Sequence, residues 1–224
     1  MNPQLLSEGL AQWLCVVIII TVHEFGHAWM ANRCGDDTAR LLGRITLNPI
    51  AHMDLIGTVI LPLLSVMLQS SGAGAIAGFI IGWGKPVPFN PNNLRRRGLD
   101  DMLIAMAGPA MNVILTVVVM VFLRGVHFFE QPGASGFSAT ISQAAILMAT
   151  ISMALCFFNL LPIPPLDGSH VMRYVTGMSY ETYANLSRYG FFVVIIVIQI
   201  DAVRRLLSAL TIGSVELIAV ALRF

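Results

Sequence analysis

Long apolar runs separated by short polar stretches dominate the chain. A bilayer core about 30 Å thick needs roughly 20 apolar residues per helix, and windows of that kind fall near 10–31, 54–70, 101–123, 141–161, 187–204 and 206–222. The pattern predicts an all-α polytopic membrane protein with about six transmembrane helices. Between the second and third windows, Ile76, Phe79, Ile80, Ile81 and Trp83 make a run too short for a span. It is dotted with Gly72, Gly74, Gly78, Gly82 and Gly84, so a short extended or re-entrant segment is expected over 72–88.

Composition narrows the class. Of 224 residues, 56% are hydrophobic and only 11% charged, against about 25% charged in soluble domains; a soluble monomer is excluded. A formal charge of +1 excludes a basic nucleic-acid surface. The charges that exist are informative by position. Arg33, Arg40 and Arg44 follow the first window, and Lys85, Arg95, Arg96 and Arg97 precede the third, which predicts that both flanks are cytoplasmic. The fourth window then returns Pro162 to Gly168 to the same face. Arg204 and Arg205 fit this count poorly. Met1 to Gln12 contains no base, so the first run reads as a retained span and not a cleaved signal peptide. Cys15, Cys34 and Cys156 show no C-x-x-C spacing and predict neither a disulfide framework nor a cysteine zinc site.

Ionisable groups inside a span are costly and point to function. The first window contains His23-Glu24-Phe25-Gly26-His27. Residues four apart share a helix face, so the two imidazoles can meet one metal. Glu24, turned about 100° away, reaches a water at the metal's open position. Two packed histidines alone would not require the intervening glutamate. A hydrolytic zinc needs a third protein ligand. Asp167 lies at the matching depth, in Asn159-Leu160-Leu161-Pro162-Ile163-Pro164-Pro165-Leu166-Asp167-Gly168, where prolines stop the helix. On spacing alone His52, Asp54 and His170 compete for the place.

These motifs, with Asn48-Pro49 before His52 and Asp54 and with Gly108-Pro109 before Asn112, resemble the site-2 protease family of intramembrane zinc metalloproteases over about residues 10 to 170. Gly82-Trp83-Gly84-Lys85-Pro86-Val87-Pro88 is similar to a segment of the compact prokaryotic branch, which lacks PDZ and CBS domains. The resemblance implies His23, His27 and Asp167 as ligands of Zn2+ and Glu24 as catalytic base. The chain is expected to be one integral-membrane metalloprotease domain over 1–224 in a prokaryotic inner membrane, with the charge asymmetry putting its active site near the cytoplasmic side.

The expected chemistry is hydrolysis of a peptide bond in a membrane-spanning or membrane-proximal substrate. Asn112 and Asn159 are available as donors to substrate or oxyanion, and His52 as a partner orienting a ligand histidine, with Asp54 equally suited to capping a helix. His127 reads as a solvated loop residue. Because a helical peptide bond is inaccessible, the 72–88 segment is the candidate edge for holding unwound substrate backbone. The expected partners are such a substrate, the lipid bilayer and a regulatory membrane protein, with no nucleic acid. A transporter, or a metal-binding scaffold without catalysis, would use the same buried polar residues, but neither has a use for Glu24.

Overall fold

A computed structural model describes residues 2–72, 82–129 and 135–223, the side chains of 129 and 135–138 excepted. Among the described residues there are helices and no strand. The first helix, α1 (Pro3–Arg33), starts where Asn2 accepts the Gln4 and Leu5 amides and Pro3 needs no amide partner, the usual solution at an N-terminal turn. After Gly35, at φ +107°, come α2 (Thr38–Leu41) and a 3-10 turn (Pro49–Ala51) capped by Asn48. A π-helical turn (Leu55–Ile60) then leads into α3 (Leu61–Ser70). Asp54 caps the π turn by accepting the Ile56 and Gly57 amides at 3.0 and 2.7 Å. The remaining helices are α4 (Arg97–Phe129), α5 (Ser135–Asn159), α6 (Gly168–Thr176), α7 (Tyr180–Ile198) and α8 (Asp201–Ala221).

Three helices are long and apolar enough to cross a membrane, Pro3–Arg33, Arg97–Phe128 and Ala139–Asn159. They coincide with the first, third and fourth windows. The second window is instead the π turn followed by a ten-residue helix. The boundary expected at 204–206 lies at Gln199 and Ile200. Ile200 is extended, and Asp201 opens α8 with its carboxylate on Arg204, a charge that favours a helix N-terminus.

Polarity is distributed as lipid solvation demands. Val118, Phe122, Phe192 and Leu217 are exposed, whereas Thr21, His23, His27, Asn112, Thr116 and Ser152 are buried. The bundle turns apolar side chains outward and gathers its polar groups inside. Helices α1, α4 and α5 pack closely. A Cβ at Gly26 would lie 2.7 Å from the Ala107 carbonyl, the small-residue contact that lets membrane helices approach. Ser152 and Thr116 both donate to the Asn112 carbonyl at 2.9 Å.

Of the expected 72–88 segment, residues 73–81 lie outside the described residues. Residues 82–88 form neither helix nor strand, yet they are firmly tied down. The Trp83 and Lys85 amides donate to the Gly57 and His52 carbonyls at 3.1 and 2.9 Å, and Thr58 donates to the Trp83 carbonyl at 2.7 Å. Buried Arg44 donates to the carbonyls of Ala51, Lys85 and Pro86.

Candidate metal centre

The crossing of α1 and α4 builds the site. His23 and His27 lie one turn apart on α1, and their rings occupy the space left by Gly108 of α4, where a Cβ would come within 2.4 Å of His27 Nε2 and 2.6 Å of His23 Cε1. Each ring is held from behind. His27 Nδ1 is 2.7 Å from the Ile104 carbonyl. That acceptor requires Nδ1 to carry the hydrogen, so Nε2 presents a lone pair. His23 Nδ1 is 3.3 Å from the Asn112 side-chain amide, whose Oδ1 is buried without a partner. Turning that amide over places Oδ1 against a His23 Nδ1–H, which satisfies the orphaned oxygen and frees His23 Nε2 in turn.

The third element comes from the break after α5. Pro162, Pro164 and Pro165 prevent helical continuation, and a Cβ at Gly168 would lie 2.2 Å from the Leu160 carbonyl, so only glycine allows so tight a return. That turn carries Asp167 to the imidazoles. The two Nε2 atoms are 3.0 Å apart. Asp167 Oδ2 lies 3.2 Å from His23 Nε2, and Oδ1 lies 3.5 Å from His27 Nε2. One ligand atom from each residue falls within 4.8 Å of the others. Burial alone would raise the Asp167 carboxyl, but the imidazoles of His27 and His23 outweigh it and hold the group well below the usual carboxylate range. Asp167 Oδ2 has no hydrogen-bond donor. Two lone pairs and a carboxylate aimed at one point call for a cation, and this nitrogen and oxygen donor set suits zinc.

A cavity of about 370 Å³ opens beside the three residues, with Glu24, Gly84, Asn159 and His170 in its wall. Glu24 therefore shares the space in which a substrate would meet the metal. A Cβ at Gly84 would stand 3.5 Å from Glu24 Oε1, so the backbone at Gly84 runs beside that carboxylate.

The other expected residues divide. Asn112 bonds to the back of His23, a positioning contact in place of the expected reach toward substrate. Asn159 lines the cavity. His52 is fully buried, and its Nε2 donates to the Thr46 carbonyl at 2.8 Å, so it holds the 46–52 loop and not a ligand histidine. Burial, helped by Arg44, lowers its basicity despite the Thr46 bond. Asp54 is the helix cap. His127 bridges α4 to α5 through Ser142 at 2.9 Å instead of standing in solvent. Two contributors escaped the sequence reading. The Ile104 carbonyl carries no chemical signature in a one-letter code, and Asp101 belongs to no motif; Gly108 is visible in its motif with Pro109, but the recess it leaves for the imidazoles is not.

The profile of "Peptidase family M50" matches residues 11–144 and 126–198. "Putative zinc metalloprotease YwhC" of Bacillus subtilis (strain 168) is 34% identical over 167 residues, covering 74% of this chain and 69% of the relative. "Putative zinc metalloprotease Rip2" of Mycolicibacterium smegmatis is 28% identical over 197 residues, 88% of this chain and 68% of the relative. Its namesake in Mycobacterium tuberculosis (strain ATCC 25618 / H37Rv) is 29% identical over 159 residues, 71% of this chain and 53% of the relative. No solved structure matches the chain.

Proposed function

Because the chain belongs to peptidase family M50, we propose that this integral-membrane zinc metalloprotease is an intramembrane endopeptidase, with zinc on His23, His27 and Asp167 and with Glu24 as the proton carrier. The observation that carries the reading is the convergence of two Nε2 atoms and a carboxylate whose other polar contacts leave them no alternative partner.

Zinc, when bound, supplies a Lewis acid that activates water and polarises a peptide carbonyl. The rest falls to the protein. Glu24 takes the water's proton and returns it to the departing amine, so that no covalent intermediate is required. Asn159, in the cavity wall, is the side-chain donor for the carbonyl oxygen as charge develops there. Asn112 serves the same step indirectly by fixing the tautomer of His23.

Substrate is a membrane-spanning or membrane-proximal peptide. The Trp83 and Lys85 amides are spent on Gly57 and His52. The intervening Gly84 lines the cavity beside Glu24. Substrate unwound along this edge regains backbone hydrogen bonds that lipid cannot provide. On the same reading, residues 1–224 are one membrane domain, and the shorter apolar helices bring the crossings to about six. The arginines at 33, 40, 44 and 95–97 support a site near the cytoplasmic face; on this reading the membrane is a prokaryotic inner membrane, and a separate membrane protein regulates access.

The test uses protein reconstituted in liposomes with a panel of single-span peptides. Chelation should abolish cleavage, stoichiometric zinc should restore it, and Asp167→Ala should regain neither zinc nor activity. Cleavage by metal-free Asp167→Ala at the wild-type rate would overturn the reading.

A further inference from the structure

Asp101 lies at the inner wall of the cavity with 1% of its surface exposed. None of the hydrolytic steps above uses it, yet it is the most heavily engaged carboxylate near the site. Its Oδ2 accepts from His170 Nδ1 and from Arg173 Nη2, each at 2.7 Å. The Tyr180 hydroxyl stands 3.5 Å from Oδ1. The Arg173 guanidinium lies over the Tyr180 ring, 3.9 Å from its centroid. His170 Nε2 meets the Tyr183 hydroxyl at 3.0 Å, and that hydroxyl meets Ser169 Oγ at 3.0 Å. Burying an ion pair this deeply gives little net stability compared with apolar packing, so the arrangement calls for a geometric explanation.

The chain supplies one. On α4, Asp101 stands about one turn before Ile104, whose carbonyl fixes His27 Nδ1. On α6, His170 and Arg173 stand three and six residues after Asp167, at the helix that the aspartate introduces. The loop from Leu160 to Asp167 is not helical, so α6 is the regular element adjoining Asp167. The Asp101 carboxylate thus joins the backbone turn that holds the histidine half of the metal cluster to the helix that holds the aspartate half.

We propose that Asp101 is a positioning residue that, through His170 and Arg173, sets the separation of Asp167 from the two imidazoles and thereby the affinity and geometry of the metal centre. This rests on the zinc reading of His23, His27 and Asp167. It is read out by metal binding, so it can fail while the peptidase reading stands.

Zinc affinity is measured by chelator competition on the full-length protein in detergent, and ligand geometry from the visible spectrum of the Co2+-substituted form. Asp101→Asn loses the charge and one acceptor, and should raise the zinc Kd by about 10- to 100-fold, the range for partners of metal ligands, with a changed Co2+ spectrum. His170→Ala keeps the Asp101 to Arg173 pair and should give a smaller loss of affinity in the same direction. It decides the matter by the same two readings if Asp101→Asn does not fold. A variant with a lowered melting temperature but wild-type zinc affinity and Co2+ spectrum would show a mere brace between helices and overturn the proposal. Wild-type protein binding zinc no more tightly than Asp167→Ala would overturn both this proposal and the reading beneath it.

Discussion

Gly108 should respond to a single methyl group by losing the metal. In a helix interior Gly→Ala ordinarily stabilises by about 0.5–1 kcal/mol. At Gly108 the added Cβ would stand 2.4 Å from His27 Nε2, 2.5 Å from His27 Cε1 and 2.6 Å from His23 Cε1, where ordinary contact begins near 3.4 Å. The rings would have to retreat by about 1 Å. They are not free to do so, because His27 is tied to the Ile104 carbonyl and His23 to Asn112. The overpacking cost, about 1–3 kcal/mol, therefore exceeds the helical gain. A displacement of about 1 Å at a reacting centre costs roughly 100-fold in rate. Gly125, on the same helix with nothing within 4 Å of its Cβ position, is the internal control. Chelator competition, turnover on a reconstituted peptide and thermal unfolding should find Gly108→Ala much weakened in zinc binding and about 100-fold slower. Gly125→Ala should be unchanged in both and slightly more stable. A Gly108→Ala protein with wild-type zinc affinity and turnover would refute the placement of the imidazoles against α4.

Arg44→Ala removes three carbonyl contacts at Ala51, Lys85 and Pro86. It should raise KM for peptide with little change in kcat or zinc content; a fall in kcat at constant KM would contradict a substrate-holding role for the 82–88 edge. Asn112→Ala should weaken zinc binding by about 10-fold through loss of the His23 tautomer constraint, measured by the same competition; unaltered affinity would refute that assignment. Asp36 is buried, which raises its carboxyl, but hydrogen bonds from Thr38, Asn93 and the Asn90 amide outweigh burial and lower it below the usual carboxylate value of 3.8. Its stabilisation is fully present above that value and fades as pH falls toward the lowered one. Asp36→Asn should therefore be less stable at neutral pH, with a flatter acid limb of unfolding; identical acid limbs would refute the assignment.

What the sequence discloses depends on the range of each interaction. His23 and His27 lie four residues apart on one helix, so their spacing alone predicts a shared face, with Glu24 turned about 100° from it. Asp54 and Asn48 likewise declare themselves as caps by local order. The union of Asp167 with the histidines spans 140 residues, and only the family resemblance favours it over His52, Asp54 and His170. The assignment of His52 to a ligand histidine came from type and nearness in sequence, while its partner Thr46 lies in the same loop. Asp101 is joined to residues 69 and 72 positions away, which no periodicity reports. The helix break at Ile200 was missed because both sides are apolar; the polar signal at Asp201 was read as part of a span.

The most direct measurement is cleavage by wild type and Glu24→Gln at matched zinc content, in the same liposomes and on the same single-span peptide. Glu24 offers no atom to the His23, His27 and Asp167 cluster, so the variant should bind zinc as tightly as wild type. It should lose about 100- to 10,000-fold in rate, the contribution of a positioned proton carrier. Cleavage by the zinc-loaded variant at the wild-type rate would contradict the role of Glu24.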